Sequence, residues 1–201
     1  LLNMIAGIET KSSGTILYGG KEKNVPSQEF GMVFQSLALM PFKTVMENVE
    51  LPLKLRGVKK EERRKTAQHY IDLVGLQGFE KSYPQELSGG MKQRVGIARA
   101  YTANPKVLIM DEPFGQLDAQ TRYSMQNEIL RIWEAERRTV IFVTNNIEEA
   151  CDLGVRIGLL SDCPATVKEI YPIDLPRPRD MVSQEFMEIR TSISDNTDLA
   201  I

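Results

Sequence analysis

LSGGMKQRVGIARAYTANPKVLIMDEPFGQLD, Leu87 to Asp118, is the stretch from which the rest of the chain is read. Val107 to Met110 is a short, continuous apolar run, the pattern of a strand buried in a parallel sheet. It delivers two carboxylates, Asp111 and Glu112, at its C-terminal end, where ligand sites of α/β sheets form. Two adjacent acids can take two roles. Asp111 offers a hard oxygen to Mg²⁺. Glu112 points elsewhere and can orient or deprotonate an attacking water. Upstream, Ser88, Gly89 and Gly90 precede a helix predicted over Met91 to Ala103. Small residues at a helix N-terminus let backbone N–H groups approach an anion. Taken singly, each segment also reads as ordinary structure: a strand with an acidic turn, and a Ser N-cap with flexible glycines.

Outward from this stretch the pattern alternates. A helix predicted over Ala119–Glu136 leads to a strand at Val140–Val143. A short helix at Ile147–Asp152 leads to a third strand near Val155–Leu160. Alternating strands and helices argue a mainly parallel sheet. Upstream, an amphipathic helix is predicted over Lys59–Val74, and a helix over Thr44–Leu55 interrupted at Pro52. Gly31–Phe34 reads as a strand ending at Gln35, and Thr15–Tyr18 as a short edge strand. Leu1 to Ala6 reads as the body of a helix closed by Gly7. The expected organisation is an α/β core over residues 1–35 and 106–172, a helical subdomain over 36–105, and a peripheral tail over 173–201.

The chain has 25 Lys+Arg against 27 Asp+Glu and a net charge of −2, which excludes nucleic-acid binding through bulk positive charge. No apolar run is long enough to cross a membrane as a helix. One His argues against a His-rich metal site or a Ser-His-Asp hydrolase, and the two cysteines, Cys151 and Cys163, lack metal-ligand spacing.

The ordered set LSGGMKQR, VLIMDEP and PFGQLD resembles the ATP-binding-cassette (ABC) ATPases. LSGG matches their signature motif, LIMDEP their Walker B strand with its catalytic glutamate, and Gly115 to Asp118 their D-loop. The resemblance implies a P-loop NTPase-like parallel sheet with an antiparallel edge and an inserted α-helical subdomain. It also implies ATP and Mg²⁺ as ligands. By the same likeness Glu112 is the catalytic base, and Gln35 is the Q-loop residue that contacts Mg²⁺ and the attacking water. Asp111 holds the metal, Ser88, Gly89, Gly90 and Gln93 contact nucleotide, and Leu117 and Asp118 meet a second ATPase subunit. The stretch Leu37–Gly57 is similar to importer subunits, most of all the nitrate, sulfonate and taurine group. It follows the Q-loop, where that family receives the coupling helix of an integral membrane permease. Its apolar residues, Phe42 and Val45 among them, read equally well as core. The expected setting is the cytoplasmic face of the inner membrane, peripheral, with a periplasmic or extracellular substrate-binding protein acting indirectly.

The sequence departs from the family in two places. It contains no G-x-x-x-x-G-K-[ST] phosphate loop. Leu1 to Gly7 resembles the helix that follows that loop, so the first strand and the loop are expected to lie before residue 1. Without them the chain is expected not to hydrolyse ATP alone. Second, the family's switch histidine is replaced by Asn145, which can donate a hydrogen bond but cannot become cationic. Two alternatives stand beside the importer ATPase. One is a catalytically inactive subunit contributing its signature motif and permease docking; the other is a soluble, non-transport ABC ATPase.

Overall fold

The computed structural model describes residues 1–23, 27–115 and 117–197. Gln116, within the expected D-loop, lies outside the described residues. The described contacts form two compact units, residues 1–141 and 142–201, with the break inside a strand.

The first unit is built on three neighbouring strands in the order β3 (Phe30–Val33), β4 (Val107–Asp111) and β5 (Thr139–Val143). β3 and β4 run parallel, Phe30 opposite Val107 and Val33 opposite Met110. That register brings the C-terminal ends of both strands level, so Gln35 and Asp111–Glu112 leave the sheet on one side. Four of the five β4 residues are buried, as expected of an apolar strand covered on both faces. Helix α1 (Leu2–Ala6) packs on the sheet through Leu2 and Ala6 against Val107 and Ile109. It stops at Gly7, which takes the left-handed conformation (φ 80°) that a side chain would resist. A two-residue antiparallel ribbon, β1 (Leu17–Tyr18) with β2 (Lys21–Glu22), is shorter than the strand expected over Thr15–Tyr18.

A helical layer follows β3. The helix expected over Thr44–Leu55 is two helices, α2 (Val45–Val49) and α3 (Leu51–Leu55). The break falls at Glu50 rather than at Pro52, because proline fits the first turn of a helix, where its missing N–H costs nothing. Thr44 and Glu47 close a reciprocal capping box at the start of α2. Helix α4 (Lys60–Leu73) buries Ala67, Tyr70 and Ile71 and leaves its leading charges outward. Helix α5 (Gly89–Thr102) is the most buried of the layer and packs on α2, α3 and α4. Helix α6 (Ala119–Glu136) leads into β5. The fold is the expected α/β class, a parallel sheet with a helical subdomain.

The second unit contains α7 (Ile147–Leu153), an antiparallel pair β6 (Arg156–Leu160) and β7 (Val167–Pro172), and α8 (Gln184–Asn196). β6 was expected as a third strand of the parallel sheet; it pairs antiparallel with β7, a strand the sequence pattern did not mark. Part of the tail is also ordered. α8 is capped by Ser183 and buries Phe186 and Ile193 against Cys151. Arg179 donates to the carbonyls of Cys151 and Asp152, both at 2.7 Å, and of Gly154 at 2.6 Å, closing the C-terminal end of α7.

Candidate functional site

The site starts where β3 and β4 end. Gln35 and Glu112, 77 residues apart in sequence, are joined directly: the Gln35 amide Nε2 donates to Glu112 Oε2 at 3.0 Å. Glu112 has φ 41°, in the left-handed region that non-glycine residues rarely occupy. Such a backbone costs on the order of 1–3 kcal/mol and is held by its surroundings. Here the turn after β4 holds it, with the Gly115 N–H donating to the Glu112 carbonyl at 3.2 Å. Asp111 is the last residue of β4 and half-buried. Asp111 and Glu112 are consecutive at this strand end, and Gln35 is bonded to the second of them, so hard oxygen donors are available here. That set suits Mg²⁺, which takes one or two protein carboxylates together with phosphate oxygens and waters. Among the described residues no group of three or more His, Cys, Asp or Glu gathers into an all-protein metal site.

The second part of the site is the start of α5. Ser88 is its N-cap, with Oγ accepting the Met91 N–H at 3.3 Å. The first intrahelical donor is Lys92, bonded to the Ser88 carbonyl at 3.0 Å. The Gly89 and Gly90 amides precede it, at the positive end of a 14-residue helix. The capping and anion-approach readings of this loop therefore coexist. Ser88 and Gly89 are exposed and Gly90 is half-buried. Gln93, one turn further in, is only 4% exposed and its Nε2 has no hydrogen-bond partner. It belongs to the packed face of α5 rather than to the open end of the helix.

Leu117 and Asp118 form the entry to α6. Asp118 caps the helix by accepting the Thr121 N–H at 3.0 Å, and that hydrogen bond holds its carboxyl below the usual carboxylate range. Leu117 is half-buried, its carbonyl accepting from Arg122 at 3.1 Å.

Asn145 lies in the second unit, exposed, in the bend between β5 and α7. The bend is fixed on both sides. Asn146 caps α7 by accepting the Glu149 N–H at 3.1 Å, and Thr144 Oγ1 donates to Glu149 Oε2 at 2.6 Å. Burial of Glu149 makes this a stiff anchor for residue 145.

The segment after Gln35 divides its apolar residues. Val45 is core, 1% exposed, whereas Phe42 is 91% exposed. The loop carrying Phe42 is organised by buried Asn48, whose Nδ2 reaches the carbonyls of Met40, Lys43 and Thr44 and whose Oδ1 accepts the Met40 N–H. Arg99 of α5 fixes the preceding turn by donating to the Leu37 and Ala38 carbonyls at 2.7 and 2.8 Å. The sequence pattern pointed to neither Asn48 nor Arg99. Arg99 carries no local signal, because its partners are 61 and 62 residues away.

Among the described residues no helix is long and apolar enough to cross a membrane. Residues 1–115 match the ABC transporter family. An uncharacterized ABC transporter ATP-binding protein of Methanocaldococcus jannaschii is 49% identical over 96% of this chain and 72% of its own length. The nitrate import ATP-binding protein NrtD of Synechocystis sp. is 47% identical over 88% of this chain and 66% of its own length. The aliphatic sulfonates import ATP-binding protein SsuB of Bacillus cereus is 43% identical over 96% of this chain and 76% of its own length. Among solved structures, a dimeric ATP-binding cassette in a post-hydrolysis state with ADP and Pi superposes with a TM-score of 0.74 at 31% identity, over 87% of this chain and 80% of that one. On both the family match and these relatives, the chain belongs to the ABC transporter family.

Proposed function

We propose that this chain is the energy-coupling ATPase subunit of an importer, with a small oxyanion of the nitrate or sulfonate kind as the transported class. The observation that carries the reading is the Gln35–Glu112 hydrogen bond where β3 and β4 end, next in sequence to Asp111. In this reading Glu112 orients and deprotonates the water that attacks the γ-phosphate of ATP. Gln35 positions that carboxylate. Asp111 and Gln35 would hold Mg²⁺, which when bound neutralises phosphate charge. Ser88, Gly89 and Gly90 face the phosphates bound by a second ATPase subunit, and Leu117 and Asp118 lie in the contact between the two. Gln93 supports that loop from inside the helix layer. The exposed Phe42 and the loop built around Asn48 would meet the coupling helix of a membrane permease, which places the chain peripherally on the cytoplasmic face. The relatives named as nitrate and sulfonate import proteins support the substrate class. The division into a core, a helical subdomain over 36–105 and a tail is part of the same proposal.

In the natural protein, Glu112→Gln is expected to lower ATP turnover by at least about 100-fold while ATP binding persists. Turnover unchanged by that substitution overturns the assignment of Glu112. A second reading, an inactive or slow subunit, is favoured by Asn145 alone. Restoring the histidine with Asn145→His is expected to raise turnover, and no rise would remove Asn145 as the cause of slow hydrolysis.

A further inference from the structure

We infer that Thr121 is the positioning residue of the Ser88-Gly89-Gly90 loop. Its side chain occupies the space a side chain at position 90 would need, and so fixes the start of α5 against the turn that follows the catalytic strand. The inference rests on the reading of that loop as phosphate-facing and adds to it the residue that sets the loop's place.

The glycines of this loop have two separate reasons to be glycine. The first is close approach of backbone amides to an anion. The second is visible inside the chain. A Cβ on Gly90 would lie 2.7 Å from Thr121 Cγ2, and one on Gly89 would lie 3.9 Å from Leu117 Cδ2. Backbone conformation is not the cause, since neither glycine is among the residues with positive φ. At position 90 the neighbour is what excludes a side chain. That neighbour is also stiff. Thr121 is β-branched, which leaves it few χ1 rotamers, and it sits in the first turn of α6. Its backbone N–H is held by Asp118 Oδ1 at 3.0 Å.

The contact continues toward the chemistry. Asp118 follows Leu117, whose N–H donates to the Phe114 carbonyl at 3.0 Å. The Gly115 N–H donates to the carbonyl of Glu112 at 3.2 Å. Glu112 in turn takes the Gln35 amide. Tight turns and one methyl contact thus tie the β4 carboxylate to the N-terminus of α5. Relieving a 2.7 Å approach requires a shift of about half an ångström or more. Misplacement on the ångström scale near reacting groups costs up to about 100-fold in rate.

The test is a steric double-substitution cycle in the natural protein, reading kcat and KM for ATP together with melting temperature. Gly90→Ala is expected to lower kcat about 10-fold or more, with a smaller change in KM. Adding Thr121→Ala, which removes both γ atoms, is expected to recover most of kcat and of the melting temperature. Adding Thr121→Val, which keeps the branch, is expected to recover neither. The inference is overturned if Thr121→Ala fails to rescue Gly90→Ala, or if Thr121→Val rescues it equally well. Absence of turnover in the unsubstituted protein overturns the ATPase reading alone, and the positioning role is then decided by whether Thr121→Ala rescues the melting temperature of Gly90→Ala. The melting temperatures separate that case, because steric rescue of stability requires no nucleotide.

Discussion

Asn48→Ala tests the helical layer where its polar interior is most heavily used. Asn48 is fully buried, at 0% exposure. Its Oδ1 accepts the Met40 N–H at 2.8 Å, and its Nδ2 lies 3.2, 2.9 and 3.0 Å from the carbonyls of Met40, Lys43 and Thr44. An amide has only two N–H donors, so three carbonyls share two protons, and the side chain counts as about three net hydrogen bonds. At about 1 kcal/mol each, truncation removes about 3 kcal/mol, and the unpaired Met40 N–H keeps the loss from being smaller. For a chain of this size that corresponds to a fall in melting temperature of about 6–12 °C. Urea denaturation gives the free-energy change directly, provided the slope with denaturant is unchanged.

Asn48→Asp sharpens the same test through pH. A carboxylate at this position would face three carbonyls out of water, so its folded-state pKa is raised above the unfolded value. The folded state then binds the extra proton. Stability is expected to be highest below the unfolded carboxyl pKa and to fall as pH rises toward the raised folded one. A loss of less than about 1 kcal/mol for Asn48→Ala, or a stability of Asn48→Asp that rises over that pH range, would refute the account.

Two further outcomes follow from buried groups elsewhere. Arg138 donates to Asn104 Oδ1 at 2.9 Å, to the Pro105 carbonyl at 2.5 Å and to Glu136 at 2.6 Å, and its guanidinium lies 5.5 Å from the Tyr101 ring. Arg138→Met is expected to cost about 2 kcal/mol in urea denaturation, because the half-buried Glu136 loses its cation and the Asn104 and Pro105 oxygens lose their donor. Cys151 is fully buried and burial pushes its thiol up to about 11, whereas Cys163 is exposed. A thiol reagent at pH 8 is expected to titrate one cysteine in the folded protein and both in denaturant. Fast reaction of both in the folded protein would contradict the packing of α7 on α8.

Legibility in the sequence followed the range of the forces involved. The apolar run at Val107–Met110 sits within β4, and the charged lead of Lys59–Val74 sits within one residue of α4, because local periodicity sets both. Ser88 as a cap and Gly7 as a stop are equally local. Phe42 and Val45 could not be separated by pattern. Their hydrophobicity is alike, yet one is core and the other faces outward. β6 was legible as a strand near Val155–Leu160, but its antiparallel partner β7 and the helix α8 were not. β7 reads VKEIYP, exposed along most of its length, and gives no alternating signal.

Taken alone, the sequence determined the family, the α/β class and the residue types gathered around the candidate site. Those follow from short motifs and from the apolar period of each element. Tertiary structure alone decided which of those residues meet. Gln35 reaches Glu112 because parallel pairing of β3 with β4 brings two distant strand ends level. Thr121 excludes a side chain at Gly90 because α6 begins beside the start of α5. Both are long-range steric facts. Spacing along a chain cannot encode them, since the distance between two elements is fixed only when the core between them is packed.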